Sequence, residues 1–153
     1  MKTISSVGKM PIVIGILLIQ LTASGGQADE RAAVLPPGGA REIAKGGTWQ
    51  PTKEEVAELE ASLEQVSHLK AENWPASSNV HIDHPERYFR QYIGVIRSGK
   101  KQIYVNAFCS EIGPPPDWQK RLVDILDGGT CVWQAVYDPS AKRFLSLRIN
   151  GVA

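Results

Sequence analysis

Side chains able to do chemistry are few in this 153-residue chain, and they are scattered. His81, Asp83 and His84 place two imidazoles and a carboxylate side by side, an atom set that suits zinc or copper. Three such close neighbours in a loop reach one ion only with a fourth ligand from elsewhere, and His68 is the one other histidine. A solvated loop is the simpler expectation. His81, Asp83 and His84 stand as the reserve metal candidate, and no cofactor is expected. Nucleophilic catalysis finds no support either. The chain lacks a Gly-x-Ser-x-Gly elbow, and Cys109 and Cys131 are far from the Cys-x-x-Cys spacing of a redox pair. Glu111, Asp117, Asp124 and Asp127 offer carboxylates for acid–base work. They sit beside turn residues, where acids are ordinary. The expectation is a protein that is not an enzyme and has no catalytic residues.

The N-terminus bears on the compartment. Lys2 and Lys9 precede an apolar run from Met10 to Ala23, followed by the small residues Ser24, Gly25, Gly26 and Ala28. A membrane-spanning helix needs about 20 apolar residues, and this run is shorter. It has the size of a signal-peptide core, with Gly26 and Ala28 at the two small positions before a cut. Residues 1–28 are therefore expected to be a signal peptide, with an uncleaved anchor as the alternative. Removing Lys2 and Lys9 from the 17 basic residues leaves 15 against 16 acidic ones. That balance argues against a nucleic-acid or anionic-membrane binder, both of which need a strong basic field. After signal cleavage no membrane association is expected. An even cysteine count in an exported chain favours a structural Cys109–Cys131 bridge over free thiols.

The elements that must position these groups follow from periodicity. Residues 29–50 contain Pro36, Pro37, Gly38, Gly39, Gly46 and Gly47 and read as a flexible leader, with 51–153 as a single domain. Thr52 and Glu55 form a capping-box signature, and Val56, Leu59, Leu63 and Val66 recur at helical spacing, predicting a helix over Thr52–Leu69. Residues 88–96 and 101–109 read as a hairpin turned by Arg97-Ser98-Gly99-Lys100, and 130–138 and 143–150 as a second. Trp118–Leu126 fits a short helix or a strand equally well. The predicted fold class is α+β: an N-terminal helix packed on a four-stranded antiparallel meander sheet, with one disulfide. That order brings the end of the second strand beside the start of the third, which is where Cys109 and Cys131 lie.

The runs Arg90-Gln91-Tyr92-Ile93-Gly94, Ile103-Tyr104-Val105-Asn106-Ala107-Phe108-Cys109, Asp127-Gly128-Gly129-Thr130-Cys131-Val132-Trp133, Tyr137-Asp138-Pro139 and Ile149-Asn150-Gly151 resemble an uncharacterised family of small exported bacterial proteins. The resemblance spans roughly residues 87–153 and carries no activity. It implies a bacterial periplasmic or secreted address and agrees with the Cys109–Cys131 pairing.

Aromatic residues supply the remaining candidate. Tyr92, Tyr104, Phe108 and Trp133 are placed as one aromatic sheet face. Such a face is an interaction site if open; otherwise the leader, with Trp49 and Trp74, folds over it. The leading expectation is a non-enzymatic periplasmic protein-binding or inhibitory module with a protein partner. The alternatives are a small-ligand-binding protein, and a metal-dependent enzyme built on His81, Asp83 and His84.

Overall fold

The structure, a computed structural model, describes residues 30–40 and 43–151. The apolar run Met10–Ala23 and the expected cleavage region lie outside the described residues. The fold is mixed α/β, with one mostly antiparallel sheet and little helix.

The helix begins where the sequence places it. α1 runs Lys53–Ala61. Thr52 Oγ1 accepts from the Glu55 amide at 3.2 Å and Glu55 Oε2 accepts from the Thr52 amide at 2.8 Å, completing the capping box. The helix ends earlier than predicted. The Ser62 hydroxyl donates to the Glu58 carbonyl at 2.8 Å, so it competes for that acceptor. The chain then tightens into a 3-10 turn over Leu63–His68. The apolar stripe survives the change of pitch: Leu59, Leu63 and Val66 are all buried.

Four strands follow as a meander in chain order: β3 (Phe89–Arg97), β4 (Lys100–Phe108), β5 (Val132–Asp138) and β6 (Arg143–Ile149). Ser98 and Gly99 both hold positive φ, 49° and 74°, as a two-residue turn matched to strand twist requires. The sheet has six strands, however, not four. The segment expected to be a leader supplies β1 (Ala32–Val34), parallel to β3, and β2 (Thr48–Trp49), antiparallel to it. Both line the outer edge of β3 and satisfy backbone groups that would otherwise be exposed. Gly94 is what admits β2. A Cβ there would lie 2.1 Å from the Trp49 carbonyl oxygen.

The opposite edge is closed by side chains. Gln65 Oε1 accepts from the Phe144 amide at 3.0 Å, and Asn73 Oδ1 from the Ile149 amide at 3.1 Å. The Ile149 carbonyl accepts from Asn73 Nδ2 and Trp74 Nε1, at 2.6 and 3.1 Å. The Glu72 amide donates to the Leu147 carbonyl at 2.9 Å. Both edges of the sheet are thus engaged, which blunts addition of a foreign strand.

One face of the sheet carries Tyr92, Ile103, Val105, Ala107, Trp133, Ala135, Tyr137, Leu147 and Ile149 and packs on Leu59, Leu63, Val66 and Ile82. The other carries Gln91, Ile93, Val95, Tyr104, Asn106, Phe108, Val132, Gln134 and Val136. It is part-covered by the segment Ser110–Gly128, here called the strap, which is neither helix nor strand. The predicted helix-or-strand at Trp118–Leu126 is accordingly replaced by turns and extended chain. Cys109 and Cys131 lie at disulfide distance at its base, with Cα atoms 4.9 Å apart. The Cys109 amide donates to the Cys131 carbonyl at 2.8 Å.

Candidate functional site

Each sheet face holds a polar system, and the two differ in kind. Under α1, Arg90 is fully buried. Its guanidinium donates to Glu60 Oε2 at 3.2 Å, to the Tyr92 hydroxyl at 2.9 Å, and to the Glu86 and Tyr88 carbonyls at 2.7 and 2.6 Å. The Tyr92 hydroxyl donates in turn to Glu60 Oε1. Burial first, and the Glu60 carboxylate after it, hold the Tyr92 phenol well above its ordinary pKa of 10.0, while Arg90 opposes them. This cluster ties helix to sheet.

On the opposite face a row of amides crosses the sheet. Gln91 Nε2 donates to the carbonyls of Trp118 and Arg121, the latter at 2.7 Å. Gln91 Oε1 accepts from the Val123 amide and from Asn106 Nδ2, both at 2.9 Å. Asn106 Nδ2 also reaches the Val123 carbonyl at 2.8 Å. Gln134 Nε2 continues to Asn150 Oδ1 at 3.2 Å, and Asn150 Nδ2 donates to the Ile125 carbonyl. An irregular segment brings unpaired backbone groups with it, and the sheet supplies their partners. Phe89, Phe108 and Trp118 pack edge and face beside this row, with ring centroids 5.4–6.2 Å apart.

The strap leaves part of its face uncovered. There Arg97, Tyr104, Gln134, Ser146 and Arg148, with Glu72 at the rim, line a depression of ≈ 240 Å³. The register explains the grouping. Gln134 pairs with Arg148 and Val136 with both Tyr104 and Ser146, so these side chains form two adjacent rows on one face. Arg97, last residue of β3, lays its guanidinium 5.8 Å from the Tyr104 ring centroid. Neither Arg97 nor Arg148 has a carboxylate within ion-pair distance among the described residues. Burial raises the Tyr104 phenol above its ordinary value, Arg97 and Arg148 pull it back, and Asp124 of the strap pushes it up.

The aromatic candidates do not share a face. Tyr92 and Trp133 are fully buried on the helix side, whereas Phe108 is fully buried on the strap side. Only Tyr104, the strap-side residue of the groove, remains partly exposed. Strand alternation separates them: residues 92 and 133 have the opposite parity in the register to 104 and 108. Two buried polar atoms, Trp133 Nε1 and Tyr137 Oη, have no hydrogen-bond partner among the described residues.

The histidine loop does not gather into one site either. His81 Nε2 pairs with Asp83 at 3.2 Å, while His84 Nδ1 turns to Glu86 at 3.2 Å. Among the described residues, the one group of three metal-ligating side chains whose atoms lie within 4.8 Å of one another is Cys109, Glu111 and Cys131. Its two sulfurs are already at disulfide distance. Sequence reasoning missed the groove because it reads Arg97 as part of the hairpin turn and finds nothing unusual in Arg148; only the register brings them to one place. Compared with protein-family models, curated proteins and solved structures, the chain matches none.

Proposed function

We propose that this chain is an exported, non-enzymatic binding module that takes a protein partner through the groove of Arg97, Tyr104, Gln134, Ser146 and Arg148. The observation that carries the reading is the size of that groove together with its two arginines. Pockets for drug-sized ligands and cofactors run from about 300 to 1,000 Å³. A depression of ≈ 240 Å³ is smaller and holds one or two side chains of a larger partner. This favours protein binding over the small-ligand alternative. Arginine and tyrosine are also the residue types that concentrate binding energy at protein interfaces.

The export reading rests on the Met10–Ala23 run and the small residues after it. The disulfide-distance pair Cys109 and Cys131 supports an oxidising compartment such as the periplasm or the medium. No helix among the described residues is long and apolar enough to cross a membrane. The metal-dependent reading on His81, Asp83 and His84 draws no support from side chains that pair separately.

Site-specific photo-cross-linking in the producing cells tests the proposal. A photoreactive side chain at exposed Glu72, on the groove rim, is expected to give a discrete cross-linked species. The same side chain at exposed Lys53, on α1, is expected not to give it. Equal labelling from both positions, or from neither, would contradict the assignment of the contact surface.

A further inference from the structure

We infer that the groove is a carboxylate receptor, built to seat a Glu or Asp side chain flanked by an apolar residue on the partner. The inference rests on the binding reading above and specifies the group that is bound. Its floor is apolar: Val136 is 7% exposed, and the Tyr104 ring packs into the cluster of Leu35, Ile93 and Val95. Its walls donate. Arg97 and Arg148 supply planar forks that match a carboxylate in two parallel bonds. The Tyr104 and Ser146 hydroxyls add neutral donors.

Charge balance chooses between carboxylate and phosphate. Glu72 lines the groove with the two guanidinium groups, and the Asp124 carboxylate of the strap lies near enough to raise the Tyr104 phenol. The groove therefore carries less net positive charge than its two arginines alone would give. A singly charged carboxylate gains both arginines against two acids. A doubly charged phosphate doubles its attraction to the arginines and its repulsion from the acids alike, so its larger desolvation cost decides against it. Asp124 acts here as a built-in competitor. It offers the arginines a weak internal counter-charge without reaching ion-pair distance, so removing its charge strengthens the external carboxylate. Both arginines are exposed, which keeps each contact modest and salt-sensitive.

The test uses the natively exported full chain and four probes: a capped Leu-Glu-Leu peptide, its Leu-Gln-Leu counterpart, its Leu-phosphoSer-Leu counterpart, and inorganic phosphate. Binding is followed by NMR shifts of the Tyr104, Gln134 and Ser146 amides and the Arg97 and Arg148 side-chain Nε–H groups. The Glu peptide is expected to shift these signals saturably, and the Gln peptide not. Arg97→Gln and Arg148→Gln should each weaken the Glu peptide about fivefold, with unchanged melting temperature. Asp124→Asn should tighten it, and raised salt should loosen it. Equal shifts from the Glu and Gln peptides, tighter binding of either phosphate probe, or weaker binding in Asp124→Asn would overturn the inference. If the probes fail while the Glu72 cross-link persists, the carboxylate is the wrong ligand and the binding module stands. Loss of both removes the binding module as well.

Discussion

Beneath α1 the sheet presents Ile103, Val105, Trp133, Leu147 and Ile149, whereas beneath the strap it presents Gln91, Asn106 and Gln134. The difference follows from what covers each face. A helix arrives with most of its backbone groups already paired and asks the sheet only for apolar area. The strap arrives with carbonyls and amides unpaired, and burying one without a partner costs about 1–3 kcal/mol. So the sheet offers side-chain amides, which donate and accept at once. Charge, by contrast, is concentrated on the helix side in a single buried guanidinium. The open remainder of the strap side keeps Arg97 and Arg148, which have no carboxylate within ion-pair distance among the described residues.

The largest effect should come from breaking that buried charge. Glu60→Ala takes a carboxylate partner from fully buried Arg90 and should cost about 3–5 kcal/mol by denaturant titration. The same substitution at the solvent-exposed partner Glu58, which pairs with exposed Lys142, should cost under about 1 kcal/mol. Equal losses would erase the contrast between buried and surface charge.

Next in size is the clamp on the strap. Replacing Cys109 and Cys131 together by alanine frees a 22-residue separation and should lower stability by about 3 kcal/mol. Circular dichroism and melting of the double variant measure it. A loss below about 0.5 kcal/mol would mean that the amide row alone fixes the strap. Gln91→Ala removes four hydrogen bonds from that row and should cost about 1–3 kcal/mol. Its effect on amide exchange should centre on residues 118–123 and spare α1.

The smallest effect at neutral pH is the tyrosine linkage, which is zero there. Tyr92, Tyr88 and Tyr104 all hold their phenols above 10.0 in the folded state. Above pH 10 the unfolded chain has lost protons that the folded chain keeps, so stability is full below that pH and falls as pH rises through the folded values. Tyrosinate absorbance should therefore rise together with unfolding. Tyr92→Phe should shallow the alkaline decline, and an unchanged decline would place the linkage elsewhere.

The local signals in the sequence were strong where they were dense. Thr52 and Glu55, the Ser98-Gly99 turn and the alternation of β3 to β6 each point to one structure. The short β1 and β2 left no periodicity to read, and the one trace of them was Gly94 inside an otherwise β-branched run. Gln91, Asn106 and Gln134 show their role only when aligned in register, where they are the mark of an irregular cover. Plain strand alternation would put Leu145 on one face with Leu147 and Ile149. An irregularity in the β5–β6 register between Val136 and Tyr137 pairs Phe144 with Tyr137 instead, and Leu145 is 40% exposed. The groove is a consequence of register, so single-residue patterns could not disclose it.

Native-state hydrogen exchange at the Val123 amide tests most directly whether sheet amides hold the strap down. That N–H donates to Gln91 Oε1 at 2.9 Å, in a stretch with no helix or strand of its own. Protection approaching that of the central strands β4 and β5 is the predicted result. Exchange as fast as at exposed Ser110 would contradict it.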